Sequence, residues 1–230
     1  MAFLIAVEGI DGSGKGTQSA RLVENLRQRG LRAELISFPR YRETEYGRKI
    51  GDFLNGRFGR LDQVHPLLVS LLFAGDRLES RGSLVELLAT NDVVVCDRYV
   101  ASNAAHQGAK AVNAEREELL RWIEFVEYDQ HQLPRPDLTV WLDIPVSVAQ
   151  ALIQKKAQRS YTDLAADLQE ADAAYLQRVA NVYAELAEHD ATWRRIEVVE
   201  NNQPRPVDTL AEEVLQTVSC ELDRRRNAIA

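Results

Sequence analysis

The sequence predicts an α/β fold, a five-stranded parallel sheet with helices on both faces, and three observations carry that prediction. Five short runs, Leu4–Val7, Ala33–Ser37, Val93–Cys96, Leu138–Leu142 and Ile196–Val199, are rich in apolar and β-branched residues. Near-continuous apolar runs of that length suit strands buried on both faces. Helical patterns lie between them, the alternation expected of a doubly wound sheet. A glycine-rich loop joins the first strand to the first helix.

That loop, Gly9-Ile10-Asp11-Gly12-Ser13-Gly14-Lys15-Gly16-Thr17, follows Val7-Glu8 and precedes a helix in which Leu22, Val23 and Leu26 recur near period 3.6. Strand, glycine-rich loop and helix together are the context of a phosphate-binding loop, so the fold is of the P-loop NTPase type. Glycines let successive N–H groups turn toward an anion, and the helix N-terminus adds unpaired donors. Lys15 brings a mobile charge to the outer phosphates. The hydroxyl residue that usually follows the lysine is replaced by Gly16, and Thr17 comes one residue late.

The remaining elements follow in order. Helices are expected at 16–29, 64–80, 99–107, 115–128, 146–158, 168–188 and 207–222. Leu67–Phe73 is apolar nearly all round, which suggests deep burial or a subunit contact. Pro134-Arg135-Pro136-Asp137 reads as a rigid turn before the fourth strand, and Pro145 suits the first turn of the helix after Asp143. No linker divides the chain, so residues 1–230 are expected as one domain with a lid segment around 154–170.

Composition narrows the partners. Of 230 residues, 28 are basic and 35 acidic, for a net charge of −7, and no basic stripe suits duplex nucleic acid. No apolar stretch is long enough to span a membrane and no signal peptide is recognisable, so a cytoplasmic protein is expected. Cys96 and Cys220 lack metal-type spacing and read as reduced thiols.

In such a sheet ligands bind beyond the carboxyl ends of the strands. Those ends bring together the loop, Phe38-Pro39-Arg40-Tyr41, Asp97-Arg98-Tyr99 and Asp143. Asp97 stands where a carboxylate serves magnesium, with Asp11 the other candidate, and Arg98 suits a phosphoryl group in transfer. Phe73 and Arg77, four apart, share a helical face. They could grip a flat base, or could be core packing beside a surface cation. Tyr99, Ser102, Asn103 and His106 share another face, which could read a base edge or be an ordinary polar surface. Lys155, Lys156 and Arg159 end a helix, either as a solvated terminus or as a cationic lid.

Taken together, these motifs resemble the thymidylate kinase family. Val7–Lys15, Phe38-Pro39-Arg40-Tyr41, Leu72-Phe73-Ala74-Gly75-Asp76-Arg77, Asp97-Arg98-Tyr99 with Ser102 and Gln107-Gly108, and Pro136-Asp137-Leu138 fall in that family's order and spacing. The resemblance implies ATP on the loop, dTMP in the neighbouring cleft and Mg2+ between them. It implies that Lys15 and Arg98 stabilise the phosphoryl oxygens, and that Asp11 and Asp97 position acceptor and metal. Phe73 then stacks on thymine, Arg77 reaches O4, Ser102 and Asn103 read the remaining edge, and Phe38, Pro39 and Arg40 or Arg42 line the acceptor pocket. With Gly12 in place of a loop arginine, Arg159 becomes the lid candidate. Together with the apolar 67–73 segment, the resemblance implies a homodimer.

Three departures stand out. Gly16 gives the spelling Gly-Lys-Gly-Thr-Gln, which is more like adenylate kinase. His106 replaces the family's Tyr or Phe beside the sugar, and the lid is short of arginines and lacks an aromatic residue at 167–170. The alternatives are therefore a kinase of another monophosphate, such as UMP, dUMP or AMP, or a non-metabolic ATP-binding switch.

Overall fold

The computed structural model describes residues 2–60, 63–155, 172–201 and 203–229. Strands β1 (Phe3–Glu8), β2 (Ala33–Ser37), β3 (Val93–Asp97), β4 (Leu138–Asp143) and β5 (Trp193–Glu197) form one parallel sheet in the order β2-β3-β1-β4-β5. The glycine-rich loop therefore leaves the central strand. The helices are α1 (Lys15–Gln28), α2 (Glu45–Leu54), α3 (Pro66–Thr90), α4 (Val100–Gly108), α5 (Asn113–Glu124), α6 (Val146–Lys155), α7 (Ala173–His189) and α8 (Val207–Ile229). A π-helical segment, Phe125–Gln130, continues α5, and two short strands, β6 (Val199–Glu200) and β7 (Gln203–Pro204), form an antiparallel pair.

Alternate residues of β1 feed opposite layers, as a strand's period of two requires. Phe3, Ile5 and Val7 pack with Leu22, Leu26, Val179 and Val214 on one face. Leu4 and Ala6 pack with Leu84, Val94, Val100 and Ile123 on the other. Ile5 and Val7 are wholly buried, each side chain contributing about 1.5–3 kcal/mol of hydrophobic stabilisation.

The elements depart from the sequence reading in several places, helix α8 among them, which runs on from its expected end at 222 to Ile229. Helix α2 is an addition: Thr44 caps it by accepting from the Gly47 N–H at 2.8 Å, but Gly47 and Gly51 mask its helical character. Gly47 is required there, because a Cβ would lie 2.2 Å from the Arg40 carbonyl oxygen. Helix α3 runs ten residues beyond its expected end at 80, through Gly82, because Leu84, Leu87 and Leu88 go on packing against the sheet. Strand β5 begins at Trp193 and Val199 falls outside it; pairing with β4 alone, this edge strand tolerates Arg194 and Arg195. The segment expected as all-round apolar is one-sided, with Val69 buried and Leu68 58% exposed. The lid residues from 156, Arg159 among them, lie outside the described residues.

Candidate active site

The loop's shape follows from its glycines. Gly12 has φ +86°, and a Cβ there would stand 2.4 Å from the Ala149 carbonyl oxygen on α6. No side chain, arginine included, fits that position. Gly14, with φ +88°, leads into α1, whose first turn has no side-chain cap and no acidic residue. Its N–H groups are thus available to an anion, and the helix dipole favours one. Lys15 opens the helix and donates from Nζ to the Ile10 carbonyl at 2.7 Å. Burial, and secondarily the Arg98 charge, pull its ammonium down to about 7.

Across the loop, Arg98 adopts φ +67° at the end of β3. Its Nη2 donates to the Asp11 carboxylate at 2.5 Å and its Nη1 to Ser102 Oγ at 3.3 Å. The two acids expected around a metal therefore play separate parts, since Asp11 is ion-paired with Arg98. The Asp97 side chain forms no hydrogen bond or ion pair among the described residues. Its Oδ2 stands beside Gly16, where an added Cβ would lie 3.1 Å away. A carboxylate with no hydrogen bond or ion pair among the described residues, next to the phosphate loop and at the place of the missing hydroxyl, fits a hard divalent cation. No group of three or more metal-ligating side chains occurs among the described residues, so such an ion would draw further oxygens from nucleotide and water.

Beyond β2, Phe38 is buried and its ring centroid lies 6.0 Å from that of Tyr99. The Phe38–Pro39 peptide bond is cis. Arg40 donates its backbone N–H to the Asp76 carboxylate at 3.1 Å and pairs its guanidinium with Glu43. Asp76 also accepts from Thr44 Oγ1 at 2.5 Å, so α3 holds both the Arg40 turn and the start of α2. Burial raises the Asp76 carboxyl above its ordinary range, against those hydrogen bonds. Phe73 is half-buried against the Ile50, Phe53, Leu54 and Val69 cluster.

Arg77 and Asn103 converge on one carboxylate. Arg77 is 2% exposed, and its Nε and Nη2 both donate to Glu127 at 2.5 Å. Asn103 Nδ2 donates to the same carboxylate at 2.8 Å and to the Ser70 carbonyl at 3.0 Å. That pairing fixes the amide's orientation and leaves Asn103 Oδ1 buried without a partner among the described residues. Ser102 is turned the other way, its hydroxyl donating to Glu8 at 2.6 Å.

His106 is buried, and its Nδ1 lies 3.0 Å from the Tyr175 hydroxyl, which donates to the His106 carbonyl at 3.0 Å. With that proton spent on the carbonyl, Nδ1 carries the hydrogen and Nε2 is the acceptor. Burial, then the Arg98 charge, lowers the imidazole to about 3, so it is neutral at physiological pH.

The thymidylate kinase family model matches residues 7–207. A thymidylate kinase of Mycobacterium tuberculosis (strain ATCC 25618 / H37Rv) is 36% identical over 185 residues, covering 80% of this chain and 85% of the relative. The chain belongs to the thymidylate kinase family. A probable thymidylate kinase of Archaeoglobus fulgidus is 29% identical over 226 residues, covering 98% of this chain and 99% of that one. The solved thymidylate kinase structure from Candida albicans shares the fold, with a TM-score of 0.71 at 24% identity over 95% of this chain and 92% of its own. Family membership carries the activity class, ATP-dependent phosphoryl transfer to thymidylate.

Four side chains that organise this thymidylate kinase site are absent from the sequence reading as functional residues: Glu8, Glu127, Tyr175 and Tyr183. Glu8 had a legible signal, an acid at the end of an apolar strand just before the loop. Glu127, Tyr175 and Tyr183 had none, because each reaches the site from a distant part of the chain.

Proposed function

We propose that the chain transfers the γ-phosphoryl of ATP to the 5′-phosphate of dTMP, giving dTDP. The observation that carries the choice of acceptor is the convergence of Arg77 and Asn103 on Glu127, which leaves Asn103 Oδ1 without a partner among the described residues. A donor beside an acceptor complements O4 and N3–H of thymine, whereas cytosine presents the reverse pattern at those positions. Phe73 supplies the stacking face, and Phe38, Pro39 and Arg40 the neighbouring wall.

In this reading the loop from Gly9 to Thr17 cradles the ATP phosphates, with Asp11 facing the acceptor. Lys15 and Arg98 meet the charge that develops on the transferring group, and Arg159 adds to it from the lid. The acceptor phosphate is nucleophilic enough at neutral pH to need no strong general base. Catalysis then rests on positioning and electrostatic stabilisation. Mg2+ fits at Asp97, with Asp11 nearby, and when bound it neutralises phosphate charge.

We also propose a homodimer through α3. Leu68, Leu78 and Val85 are 58%, 44% and 45% exposed, and Gly82 has open space beside it. These positions fall within one arc of the helix, an apolar strip that a second copy would cover. No helix among the described residues is long and apolar enough to cross a membrane, and we place the protein in the cytoplasm.

A coupled ADP-release assay across dTMP, dUMP, UMP, dCMP, AMP and GMP tests the reading. Turnover of dTMP should exceed that of dCMP, AMP and GMP by about 100-fold or more, the penalty for leaving buried polar groups unpaired. AMP turnover equal to dTMP turnover would sink it. The edge contacts do not see the 5-methyl group, so dUMP and UMP are the nearest competitors.

A further inference from the structure

A charged residue with no contact to the cleft sits at the structural centre of the site. Glu8, the last residue of β1, is wholly buried. Its Oε1 accepts the backbone N–H of Tyr99 at 2.7 Å and that of Ser102 at 3.2 Å. Its Oε2 accepts the Ser102 hydroxyl at 2.6 Å and the Tyr183 hydroxyl at 2.9 Å. Four donors, from Tyr99 at the cap of α4, from α4 itself and from α7, thus converge on one carboxylate from the central strand. Such convergence is what a buried charge needs to be tolerated.

The effect falls on Arg98. That residue holds φ +67°, a left-handed conformation that the Cβ of any side chain disfavours. It is gripped from both sides by the last two residues of β1. Its own N–H donates to the Val7 carbonyl at 3.1 Å, and the next N–H, that of Tyr99, donates to Glu8. Ser102 spends its proton on Glu8, so its lone pairs are left to receive Arg98 Nη1 at 3.3 Å. The guanidinium is thereby held between Ser102 and Asp11. The strand that carries the grip runs directly into the phosphate loop, so loop and guanidinium share one frame.

We propose that Glu8 is the positioning residue for Arg98: it fixes the left-handed turn at 98 and the Ser102 hydroxyl, and acts on phosphoryl transfer through that guanidinium without touching either nucleotide. The assignment rests on the kinase reading above. Burial, and next the Glu8 charge, push the Tyr183 phenol well above its ordinary range, so that hydroxyl remains a donor to the carboxylate.

A kinetic double-mutant cycle on the full chain tests this. Glu8→Gln keeps the side chain's shape but sets an amide against the hydroxyls of Ser102 and Tyr183. It should lower kcat with dTMP by about 10- to 100-fold, the range for a displaced catalytic group, with KM for ATP within about twofold. In an Arg98→Ala background the same substitution should have no further effect on kcat. Tyr183→Phe removes one donor and leaves the backbone bonds in place; it should lower kcat about threefold, again only when Arg98 is present. A Glu8→Gln loss that persists in full without Arg98, or an unchanged kcat in folded Glu8→Gln, overturns the proposal. If Glu8→Gln fails to fold, the Tyr183→Phe cycle decides by the same criterion. Absence of wild-type turnover with dTMP overturns the kinase reading, and this proposal with it, whereas an active wild type without coupling overturns the Glu8 assignment alone.

Discussion

Arg98 and Asp11 form an ion pair at 2.5 Å across the mouth of the phosphate loop, with side chains 17% and 7% exposed. The pair joins the end of β3 to the loop after β1 and holds the guanidinium beside the phosphate loop, where the proposed function has it meet the transferring phosphoryl group. Arg98→Ala should lower kcat by about 100- to 1000-fold, the range for removing one preorganised donor at a transition state. Arg98→Lys should recover little, because an ammonium cannot bridge Asp11 and Ser102 as a fork does. Steady-state kinetics with ATP and dTMP check both.

The lowered Lys15 ammonium makes nucleotide binding pH-linked. Free Lys15 titrates near 7, so at pH 8 it is mostly neutral. A polyphosphate beside it favours the charged form and raises that value, so ATP binding at pH 8 should take up close to one proton. At pH 6 the side chain is already charged and that uptake should vanish. Calorimetric titration in two buffers of different ionisation enthalpy measures it, and Lys15→Met should abolish the pH 8 uptake.

His106 predicts an acid-side loss of stability. Its folded value is about 3 against 6.5 for the free side chain, so between those limits the unfolded chain binds the extra proton. This contribution to stability is therefore intact above 6.5 and falls with pH, reaching about 2 kcal/mol lost by pH 5. Urea unfolding from pH 7 to 5 should show that slope, and His106→Tyr should flatten it. In the proposed function position 106 would lie beside the sugar, where the Nε2 acceptor suits a ribose hydroxyl. The same variant should raise the dTMP to UMP ratio by about tenfold, one hydrogen bond's worth; an unchanged ratio defeats that idea.

The Arg77–Glu127 pair is buried on both sides, at 2% and 0% exposure. Glu127→Ala leaves the buried Arg77 cation without its carboxylate and removes one of the two acceptors of the Asn103 amide. It should destabilise the fold by about 3–5 kcal/mol, as breaking a buried pair does, and lower Tm by about 10 °C. Differential scanning calorimetry reads this. Arg77 substitutions will consequently mix base recognition with stability, and only KM ratios among monophosphates isolate the former.

Gly16 leaves room for Asp97. A Cβ at 3.1 Å from Oδ2 requires the carboxylate to move by a few tenths of an ångström. Gly16→Ala should therefore weaken Mn2+ binding to the ADP complex by about threefold to tenfold, roughly 1 kcal/mol, and Asp97→Asn should weaken it further. Electron paramagnetic resonance of Mn2+ gives the dissociation constants directly; equal affinity in wild type and Gly16→Ala would refute a role for this contact.

Much of the molecule is legible in the amino-acid sequence. The five parallel strands, the glycine loop with Lys15 and the Asp97-Arg98 pair are local patterns, each stated within a few neighbouring residues. The family follows from their order. Helix α2 escaped notice because its two glycines answer to tertiary contacts, with the Arg40 carbonyl and the Tyr41 ring, rather than to helix propensity. The partnerships inside the site escaped for a related reason. Arg77 and Glu127 are 50 residues apart, His106 and Tyr175 are 69 apart, and Glu8 and Tyr183 are 175 apart. Local spacing brought these residue types to the carboxyl ends of the strands, and so the sequence by itself determined a phosphate loop, an acid–arginine pair after the third strand and the family to which they belong. Only the packing of α4, α7 and the π-helical turn around the central strand decided what those residues bond to. A side chain's partner depends on where a separate helix comes to rest, and that is a property of the whole core.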